Sequence, residues 1–377
     1  MTNSWEDWSE GKIARFRKIF LDWYQQEHRL LPWRENQDPY RIWISEIMLQ
    51  QTRVDTVIGY FYRFMETFPT IEALAEAPED KLLKVWEGLG YYSRARNLKA
   101  AAQQIMTEFD GKMPQTLAEI QSLKGIGPYT AGAIASIAYN LPEPAIDGNV
   151  MRVLSRLFEI DADIAKPASR KIFDEAMRTI IDPQQPGEFN QALMDLGSAI
   201  CTPTSPQCSA CPLQAFCQSA HHGTQTQYPV KSKKAKPKPV YYLALVIEKD
   251  GKLLLEQRPA TGLLANFWTF PLVEVTESEY RHYQQTWQPS EGPLDLVAED
   301  ELVIGDWPVV WQKRTIGEAT HVFSHLKWHL LVFHGHALKV TLAENQRWIS
   351  LADIRDYPLP KPQLKMLDVI KQEHLFD

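Results

Sequence analysis

The sequence has no long hydrophobic run, few cysteines and no excess of basic residues. No stretch approaches the roughly 18 consecutive apolar residues that a membrane-spanning helix needs. The first residues, MTNSWEDWSE, lack the basic start and apolar segment of a signal peptide. These absences argue against a membrane location. They predict a cytoplasmic protein, located with the nucleoid if it is bacterial.

The formal net charge of −7 does not by itself indicate a nucleic-acid partner. Net charge describes the whole chain, however, and a basic groove can lie on an acidic molecule. The chain has 377 residues, of which 44% are hydrophobic and 23% charged. This is the composition of an ordinary folded protein and the length of two domains.

The first 218 residues have the apolar periodicity of an all-helical region. Turn signals such as Gly88-Leu89-Gly90 separate the periodic segments. The pattern predicts helices at 12–26, 41–52, 54–68, 79–86, 95–109, 116–123, 129–139, 149–158, 168–181 and 188–199.

The pattern changes after residue 218. Residues 219–239 have no apolar period and carry five lysines between Lys231 and Lys238 among prolines, which predicts a basic linker open to repair-protein partners. From residue 240 onward, β-type alternation and a predicted hairpin turn at Asp250-Gly251 replace the helical period. We therefore expect an α+β domain over residues 240–377.

All four cysteines lie in one short window with the spacing C-x6-C-x2-C-x5-C, as Cys201, Cys208, Cys211 and Cys217. Structural zinc, disulfides and an iron–sulfur cluster are the alternatives. Disulfides are disfavoured in a chain without a secretory signal. The spacing alone leaves zinc and the cluster open.

The segment LKGIGPYTAGAIASIAYN, residues 123–140, predicts two helices joined by a Gly-Ile-Gly turn. Pro128 suits the first position of the second helix. Gly125 and Gly127 would let a phosphate approach the bare backbone, where the free N–H groups of the helix start point at it. The alternative is a tight turn between packed helices, so the motif indicates DNA backbone binding with moderate specificity.

Glu46 is a single acid within an apolar run, in the segment WISEIMLQQT. On a helix it shares a face with Ile42 and Leu49, so water is partly excluded and the carboxyl group tends to keep its proton. The alternative is a partly buried glutamate in a salt bridge with Arg34 or Arg53.

Asp147 precedes a predicted helix in AIDGNVMRVLSRLF, where it suits the N-cap position. A carboxylate near a helix start is favoured in its charged form. Glu46 and Asp147 would then be an unequal pair, one acid that donates a proton and one carboxylate that faces a developing cation. Glycosidic bond cleavage uses such a pair.

Six motifs, in this order, resemble the MutY family of adenine DNA glycosylases in the endonuclease III superfamily. They are LPWR (31–34), SEIMLQQTRV (45–54), GLGYYSRARNL (88–98), LKGIGPYTAGAI (123–134), IDGNVMRV (146–153) and the cysteine spacing. The β-rich half resembles the Nudix-like C-terminal domain of that family. The resemblance implies a multi-domain protein with an all-α helix-hairpin-helix glycosylase fold and a [4Fe-4S] cluster loop, followed by an α+β Nudix-like domain. It makes the four cysteines the cluster ligands.

The resemblance also implies a reaction, carried out by a monofunctional DNA N-glycosylase of base excision repair. Adenine mispaired with 8-oxoguanine or guanine in double-stranded DNA would be flipped out and its N-glycosidic bond hydrolysed, leaving an abasic site. Glu46 would protonate adenine N7 and then activate water. Asp147 would stabilise the oxocarbenium-like sugar, while Tyr129 and Asn149 would orient that carboxylate.

Further residues are implied as DNA contacts. Arg34 would line the adenine pocket, with Leu49 as a neighbouring contact. Gln51 and Tyr91 match residues that probe or wedge the base stack beside the lesion, which suits a flat amide and an aromatic ring.

The segment HVFSHL, residues 321–326, matches the loop that approaches 8-oxoguanine in this family. Phe323, Ser324 and His325 are the residues implied, and Ser324 would hydrogen-bond to N7–H and O8 of the damaged base. The alternative is an ordinary alternating β-strand. The Nudix-like half lacks the G-x5-E-x7-R-E-x2-E-E-x-G box, so we expect it to recognise a base rather than to hydrolyse a pyrophosphate.

Two other functions remain open. A bifunctional endonuclease III-like glycosylase and lyase would use a lysine amine at the position of Tyr129, where this chain supplies a phenol. A redox-responsive DNA-binding protein would use the cluster as a switch and perform no catalysis. We expect the protein to be a monomer.

Overall fold

The computed structural model of the protein describes residues 4–233, 235–286, 304, 308–338 and 341–372. The chain divides into two compact units, residues 1–77 with 93–233 and residues 78–92 with 234–377. The predicted boundaries at residues 218 and 240 stay a prediction. Parts of the predicted linker and of the predicted α+β domain, at 234, 287–303, 305–307, 339–340 and 373–377, lie outside the described residues.

The N-terminal unit is built from helices. Their bounds are α1 Glu10–Glu27, α2 Pro39–Leu49, α3 Val54–Thr67, α4 Ile71–Glu76, α6 Ser93–Glu108, α7 Leu117–Ser122, α8 Pro128–Tyr139, α9 Gly148–Phe158, α10 Arg170–Ile180, α11 Pro186–Ala199 and α12 Gln218–His222. Two of them have no counterpart among the predicted helices. The short helix α4 was not predicted, and α12 lies almost entirely within the predicted linker.

The helices of this unit enclose an aromatic core and position the later site. Phe20 packs edge-on against Phe189, with 5.3 Å between ring centroids, and both rings are fully buried. Such rings bury large apolar areas, which is the main stabilising term in folding. Helix α2 packs against α3 and α8, while α8 and α9 both pack against α11. The starts of α8 and α9 and the end of α2 are thereby fixed by one core.

The end of α2 differs from the predicted helix 41–52. The helix ends at Leu49, and Gln51 has a left-handed backbone with φ of 58°. The guanidinium of Arg94 donates from Nη1 to the carbonyl oxygens of Ile47 at 2.7 Å and Gln50 at 2.6 Å. A cation there satisfies carbonyls that have no partner within the helix. The polar residues after Leu49 therefore form a turn rather than a further helical turn.

The C-terminal unit combines helices and a sheet. Its helices are α5 Glu79–Val85, α13 Glu277–Thr286 and α14 Lys361–Gln372. Its strands are β1 Lys238–Lys249, β2 Lys252–Gln257, β3 Trp268–Thr269, β4 Leu272–Val275, β5 Val309–Val322, β6 Leu326–Ala337 and β7 Gln346–Ser350.

The described strands form one mixed seven-stranded sheet. The main path runs β3-β2-β1-β6-β5, and β4 pairs with β1 while β7 pairs with β2. The β1–β6 pair is parallel, and the other described pairs are antiparallel. Asp250 and Gly251, with φ of 51° and 71°, form the tight turn between β1 and β2, so the predicted hairpin is confirmed.

Of the helices that the structure describes, none combines the length and the hydropathy required to cross a membrane.

Candidate active site

A cavity of about 710 Å³ in the N-terminal unit brings together all four predicted catalytic residues. The ends of α2, α8 and α9 form its walls. The predicted residues that line it are Arg34, Glu46, Leu49, Gln51, Gly125, Gly127, Tyr129, Asp147 and Asn149. Residues from four sequence motifs therefore meet in one place.

Glu46 is buried in the wall of this cavity, with 5% of its surface exposed. Burial raises the pKa of its carboxyl group to about 7, because a charge is poorly solvated there. The hydrogen bond from Tyr129 and the charge of Arg34 both lower this pKa, and Asp147 raises it. A large fraction of Glu46 is therefore protonated at neutral pH, as the helical pattern predicted.

Tyr129 contacts Glu46 rather than Asp147. Its hydroxyl donates to Glu46 Oε2 at 2.6 Å, and its implied role in orienting Asp147 stays a prediction. The contact with Glu46 results from the packing, because α8 carries Tyr129 and lies directly against α2, which carries Glu46. Tyr129 is thus placed to tune the acid.

We expect Tyr129→Phe to move the pH dependence of catalysis. The tyrosine hydroxyl stabilises the charged form of Glu46, so its removal raises the Glu46 pKa further. An acid that works only when protonated loses activity as pH rises through its pKa. The alkaline limb of the pH–rate profile should therefore move up by about one pH unit, measured in single-turnover assays from pH 5 to 9.

Tyr139→Phe is the matched control, because Tyr139 lies on the same helix but donates to the carbonyl oxygen of Met113. The alkaline limb of its pH–rate profile should lie at the same pH as that of the wild type. A limb that stays in place or moves down in Tyr129→Phe would contradict the tuning role.

Asp147 is the N-cap of α9, as predicted. Its Oδ1 accepts from the backbone N–H of Val150 at 2.7 Å, and its Oδ2 accepts from Asn149 Nδ2 at 2.9 Å. These bonds favour the carboxylate, but burial is the larger effect and raises the Asp147 pKa above its ordinary value. The expectation that the cap position keeps this carboxylate charged stays a prediction. The predicted contact with Asn149 is present.

Arg152 links this carboxylate to the cysteine loop. Its Nη2 donates to Asn149 Oδ1 at 2.9 Å, and its Nε donates to the carbonyl oxygen of Cys201 at 2.9 Å. The same Nη2 also donates to the carbonyl oxygen of Gly197 at 2.7 Å. One buried guanidinium therefore fixes both the residue that orients Asp147 and the start of the loop.

Asp195 and Arg29 are site residues that the sequence analysis missed. Arg34 donates from Nη1 to Asp195 Oδ2 at 2.7 Å and from Nη2 to Oδ1 at 3.1 Å, while Arg29 Nε donates to Oδ1 at 3.0 Å. Arg34 thus pairs with Asp195 and not with Glu46, which leaves the acid free to hold a proton. The sequence does contain a signal for Asp195, because this residue is a single acid within the apolar run QALMDLGSAI. The same kind of pattern identified Glu46.

The two glycines of the helix-hairpin-helix turn have different roles. Gly125 has φ of 78°, and a Cβ there would lie 2.6 Å from the Cβ of Asn97, so only glycine fits. Gly127 has an ordinary φ of −90°, and a Cβ there would meet no described atom within 4 Å. The fold requires Gly125, whereas Gly127 leaves open space in front of the start of α8.

We expect Gly127→Ala to weaken DNA binding and to spare the fold. The added methyl group would occupy the space through which a phosphate reaches the backbone N–H groups of α8. Duplex affinity should fall about tenfold, while the free energy of unfolding changes by less than about 1 kcal/mol. Fluorescence anisotropy and chemical denaturation measure the two quantities.

Gly11→Ala is the matched control, since a Cβ at Gly11 also meets no described atom within 4 Å but lies on α1, away from the hairpin. It should bind DNA like the wild type. Equal affinity of Gly127→Ala and the wild type would exclude the hairpin contact.

Gln51 and Tyr91 share an uncommon backbone, although they lie in different units. Both have positive φ, 58° and 46°, and both side chains are exposed. Non-glycine residues in this conformation cost about 1 kcal/mol or more and concentrate at functional sites. The geometry is therefore compatible with the predicted contacts to a base stack. Leu49 lies half-buried at the cavity edge.

The segment 323–325 is a hairpin loop in the C-terminal unit, and not the continuous strand that was the alternative. The Phe323 ring packs edge-on against Trp328, with 5.0 Å between centroids, which anchors the loop. Ser324 and His325 are exposed at its tip. Ser324 and His325 are therefore the most exposed residues of this loop, and Phe323 is partly exposed.

The four cysteines line one small pocket in the N-terminal unit, together with Ile200 and Pro206. None of them is in a disulfide. Burial raises the pKa of the Cys211 thiol to about 12, so a thiolate is stable there only when it is bound to metal. Arg156 Nη1 lies 3.3 Å from Cys201 Sγ, a charge that suits an anionic sulfur ligand. This donor set fits an iron–sulfur cluster.

Comparisons with known proteins agree with this architecture. Residues 44–179 match the model of the HhH-GPD superfamily base excision DNA repair proteins, residues 201–217 that of the iron–sulfur binding domain of endonuclease III, and residues 242–369 that of the NUDIX domain. The structure of a thermostable thymine-DNA glycosylase aligns with a TM-score of 0.52 and 27% identity, over 56% of this chain and 98% of that one. Fold and site therefore define a DNA N-glycosylase with a [4Fe-4S] loop and a Nudix-like domain, as predicted.

Adenine DNA glycosylases are similar over most of the chain. The protein from Rattus norvegicus is 33% identical over 96% of this chain and 78% of its own length. That from Homo sapiens is 35% identical over 90% and 71%, and that from Buchnera aphidicola subsp. Baizongia pistaciae is 39% identical over 95% and 97%. The chain belongs to the adenine DNA glycosylase family, which confirms the predicted family and its place in base excision repair.

Proposed function

We propose that the protein removes adenine paired with 8-oxoguanine or guanine in double-stranded DNA, as a monofunctional glycosylase that leaves an abasic site. The observation that supports this best is Glu46, a buried acid with a pKa of about 7 in a cavity that also holds Asp147. Cleavage of the bond between adenine and deoxyribose needs such an acid, because a neutral base leaves far more readily than an anionic one.

In this mechanism Glu46 gives its proton to adenine N7, and the C1′–N9 bond breaks with both electrons leaving on the base. Asp147 faces the positive charge that develops on the sugar, and Asn149 holds the carboxylate in place. Water then adds its oxygen to C1′, and the Glu46 carboxylate takes the released proton. The acid is thereby restored for the next turnover.

The absence of an amine from the site favours a monofunctional enzyme. No lysine is among the described residues that line the cavity. Tyr129 occupies the hairpin position, and burial raises its pKa well above 10, so its hydroxyl stays protonated. A phenol in this state cannot form the Schiff base through which a lyase cleaves the strand.

We further propose that Cys201, Cys208, Cys211 and Cys217 are the cluster ligands, within a catalytic region of residues 1–218. These four thiolates would hold the cluster, and the loop that carries them would be fixed by it. The linker 219–239 would join it to a lesion-recognition domain at 240–377. A monomeric state, a cytoplasmic location and repair-protein partners at the linker stay predictions.

The test is a glycosylase assay on four duplexes, with adenine opposite 8-oxoguanine, guanine, cytosine or thymine. Abasic sites are revealed by alkali, and parallel reactions omit it. We expect product with the first two duplexes and only after alkali. Strand breaks without alkali, together with borohydride trapping on DNA, would favour a lyase. Tight binding without any adenine release would favour a non-catalytic DNA-binding protein.

Ser324→Ala tests the proposed recognition of 8-oxoguanine. The hydroxyl lies exposed in the loop between β5 and β6, where it is 3.3 Å from His325 Nδ1. Loss of one hydrogen bond to the damaged base should lower the preference for 8-oxoguanine over guanine about five- to tenfold. The ratio of excision rates on the two duplexes is the measurement.

Thr286→Ala removes another exposed hydroxyl from the same unit and serves as the control. It should leave that ratio unchanged. If Ser324→Ala behaves in the same way, Ser324 does not read the lesion.

A further inference from the structure

Three potential metal ligands lie together on one face of the sheet in the C-terminal unit. In the parallel β1–β6 pair, Glu248 is opposite His336, and Val246 is opposite His334. Side chains alternate along a strand, so His334 and His336 share a face, and Glu248 shares it with them. The register of two neighbouring strands alone therefore produces a cluster of two imidazoles and one carboxylate.

The ligand atoms of this cluster are close together. Glu248 Oε2 lies 3.2 Å from His334 Nε2 and 3.9 Å from His336 Nδ1, and one ligand atom from each residue lies within 4.8 Å of the others. Ligands on a tetrahedral zinc ion, with bonds of about 2.0 Å, lie about 3.3 Å apart. The 3.2 Å between Glu248 Oε2 and His334 Nε2 already matches this spacing. The half-exposed His336 needs only a small side-chain rotation to fit the other.

Two of the three potential ligands are shielded from solvent. His334 has 2% of its side chain exposed and Glu248 has 17%. Charges attract each other more strongly in such a place than in water, so a cation held there would be bound strongly by an acidic side chain.

Gln312 on β5 contacts the ring nitrogen of His334 that points away from Glu248. Its side-chain Nε2 lies 2.6 Å from His334 Nδ1. The other ring nitrogen, Nε2, is the one that lies beside Glu248, so an ion in the cluster would bind His334 through Nε2. A partner on the second ring nitrogen fixes the orientation of the ring in metal-binding histidines.

We propose that Glu248, His334 and His336 bind one divalent transition-metal ion of the zinc type. Two neutral imidazoles and a carboxylate are ligands that such ions prefer. Three protein ligands leave a further coordination position for water. His336 lies at the exposed mouth of the cluster, so an ion can enter from solvent. The ion would join the parallel strands β1 and β6.

The test is zinc titration by calorimetry of the full-length protein with its iron–sulfur cluster intact, after removal of loosely bound metal. Wild type, His336→Gln and His282→Gln are compared. His282 is an exposed histidine on α13 and serves as the control. We expect the wild type and the control to bind one zinc equivalent that His336→Gln binds at least about 100-fold more weakly. All three proteins keep the same cysteines.

Glu248→Gln gives a second comparison, because it keeps the shape of the side chain and removes the charge. It should lose the same zinc equivalent. X-ray absorption of the zinc-loaded wild type should show nitrogen and oxygen neighbours without sulfur. Equal zinc affinity in wild type, His336→Gln and Glu248→Gln, or sulfur around the bound ion, would overturn the proposal.

Discussion

Replacing Glu46 with glutamine is expected to slow adenine excision by about 10³-fold or more while duplex binding is retained. Glutamine has the shape of glutamic acid but cannot transfer a proton to the base. The side chain is buried, so a water molecule cannot readily take its place. Single-turnover excision and equilibrium binding to a duplex that holds adenine opposite 8-oxoguanine separate the two effects.

Unfolding of the variant should not be the cause of its lower excision rate. Because burial raises the Glu46 pKa to about 7, folding favours the protonated form, and this contribution to stability is lost as pH rises through 7. Glutamine does not ionise, so the variant does not lose stability in this way. Glu46→Gln should therefore be at least as stable as the wild type at pH 8. Glu72→Gln, an exposed position on α4, is the activity control. A Glu46→Gln variant that still turns over would mean that another group supplies the proton.

Asp147→Asn is the second large effect that we expect. Asparagine is as good an N-cap as aspartate, so the hydrogen bond to the backbone N–H of Val150 can be kept. The negative charge that faces the sugar cation is lost. Excision should fall by about 10²- to 10³-fold, while the free energy of unfolding changes by less than about 1 kcal/mol.

Asp38→Asn makes the same change at another helix start, because Asp38 caps α2 by accepting from the N–H of Tyr40. It does not line the cavity and should leave the excision rate unchanged. If Asp147→Asn loses stability to the same degree as activity, its role is structural. Rates and denaturation curves of both variants decide between the two.

Local pattern predicted the buried acid, the cap and the glycine turn. Glu46 within an apolar helical face, Asp147 before a helix and Gly125 at a tight turn each depend on neighbours a few residues away. The hairpin at Asp250-Gly251 was predictable for the same reason. These features are set by short-range geometry, which a sequence displays directly.

The partners of the polar groups were not predictable, because they come from distant parts of the chain. Tyr129 could face either carboxylate until the packing of α8 against α2 selected Glu46. Arg34 and Asp195 are separated by 161 residues, so their pairing depends on how α11 is placed. The helical period also did not show that α2 ends at Leu49, since the carbonyls beyond it are satisfied by Arg94.

The guanidinium of Arg152, held between Asn149 and the carbonyl oxygen of Cys201, connects the proposed catalytic carboxylate of Asp147 to the cysteine loop. A chain that lacks its metal would lose the fixed position of that carbonyl, and with it one support of the oriented amide. We therefore expect that iron starvation lowers the capacity for adenine repair in a cell even where the amount of enzyme stays constant.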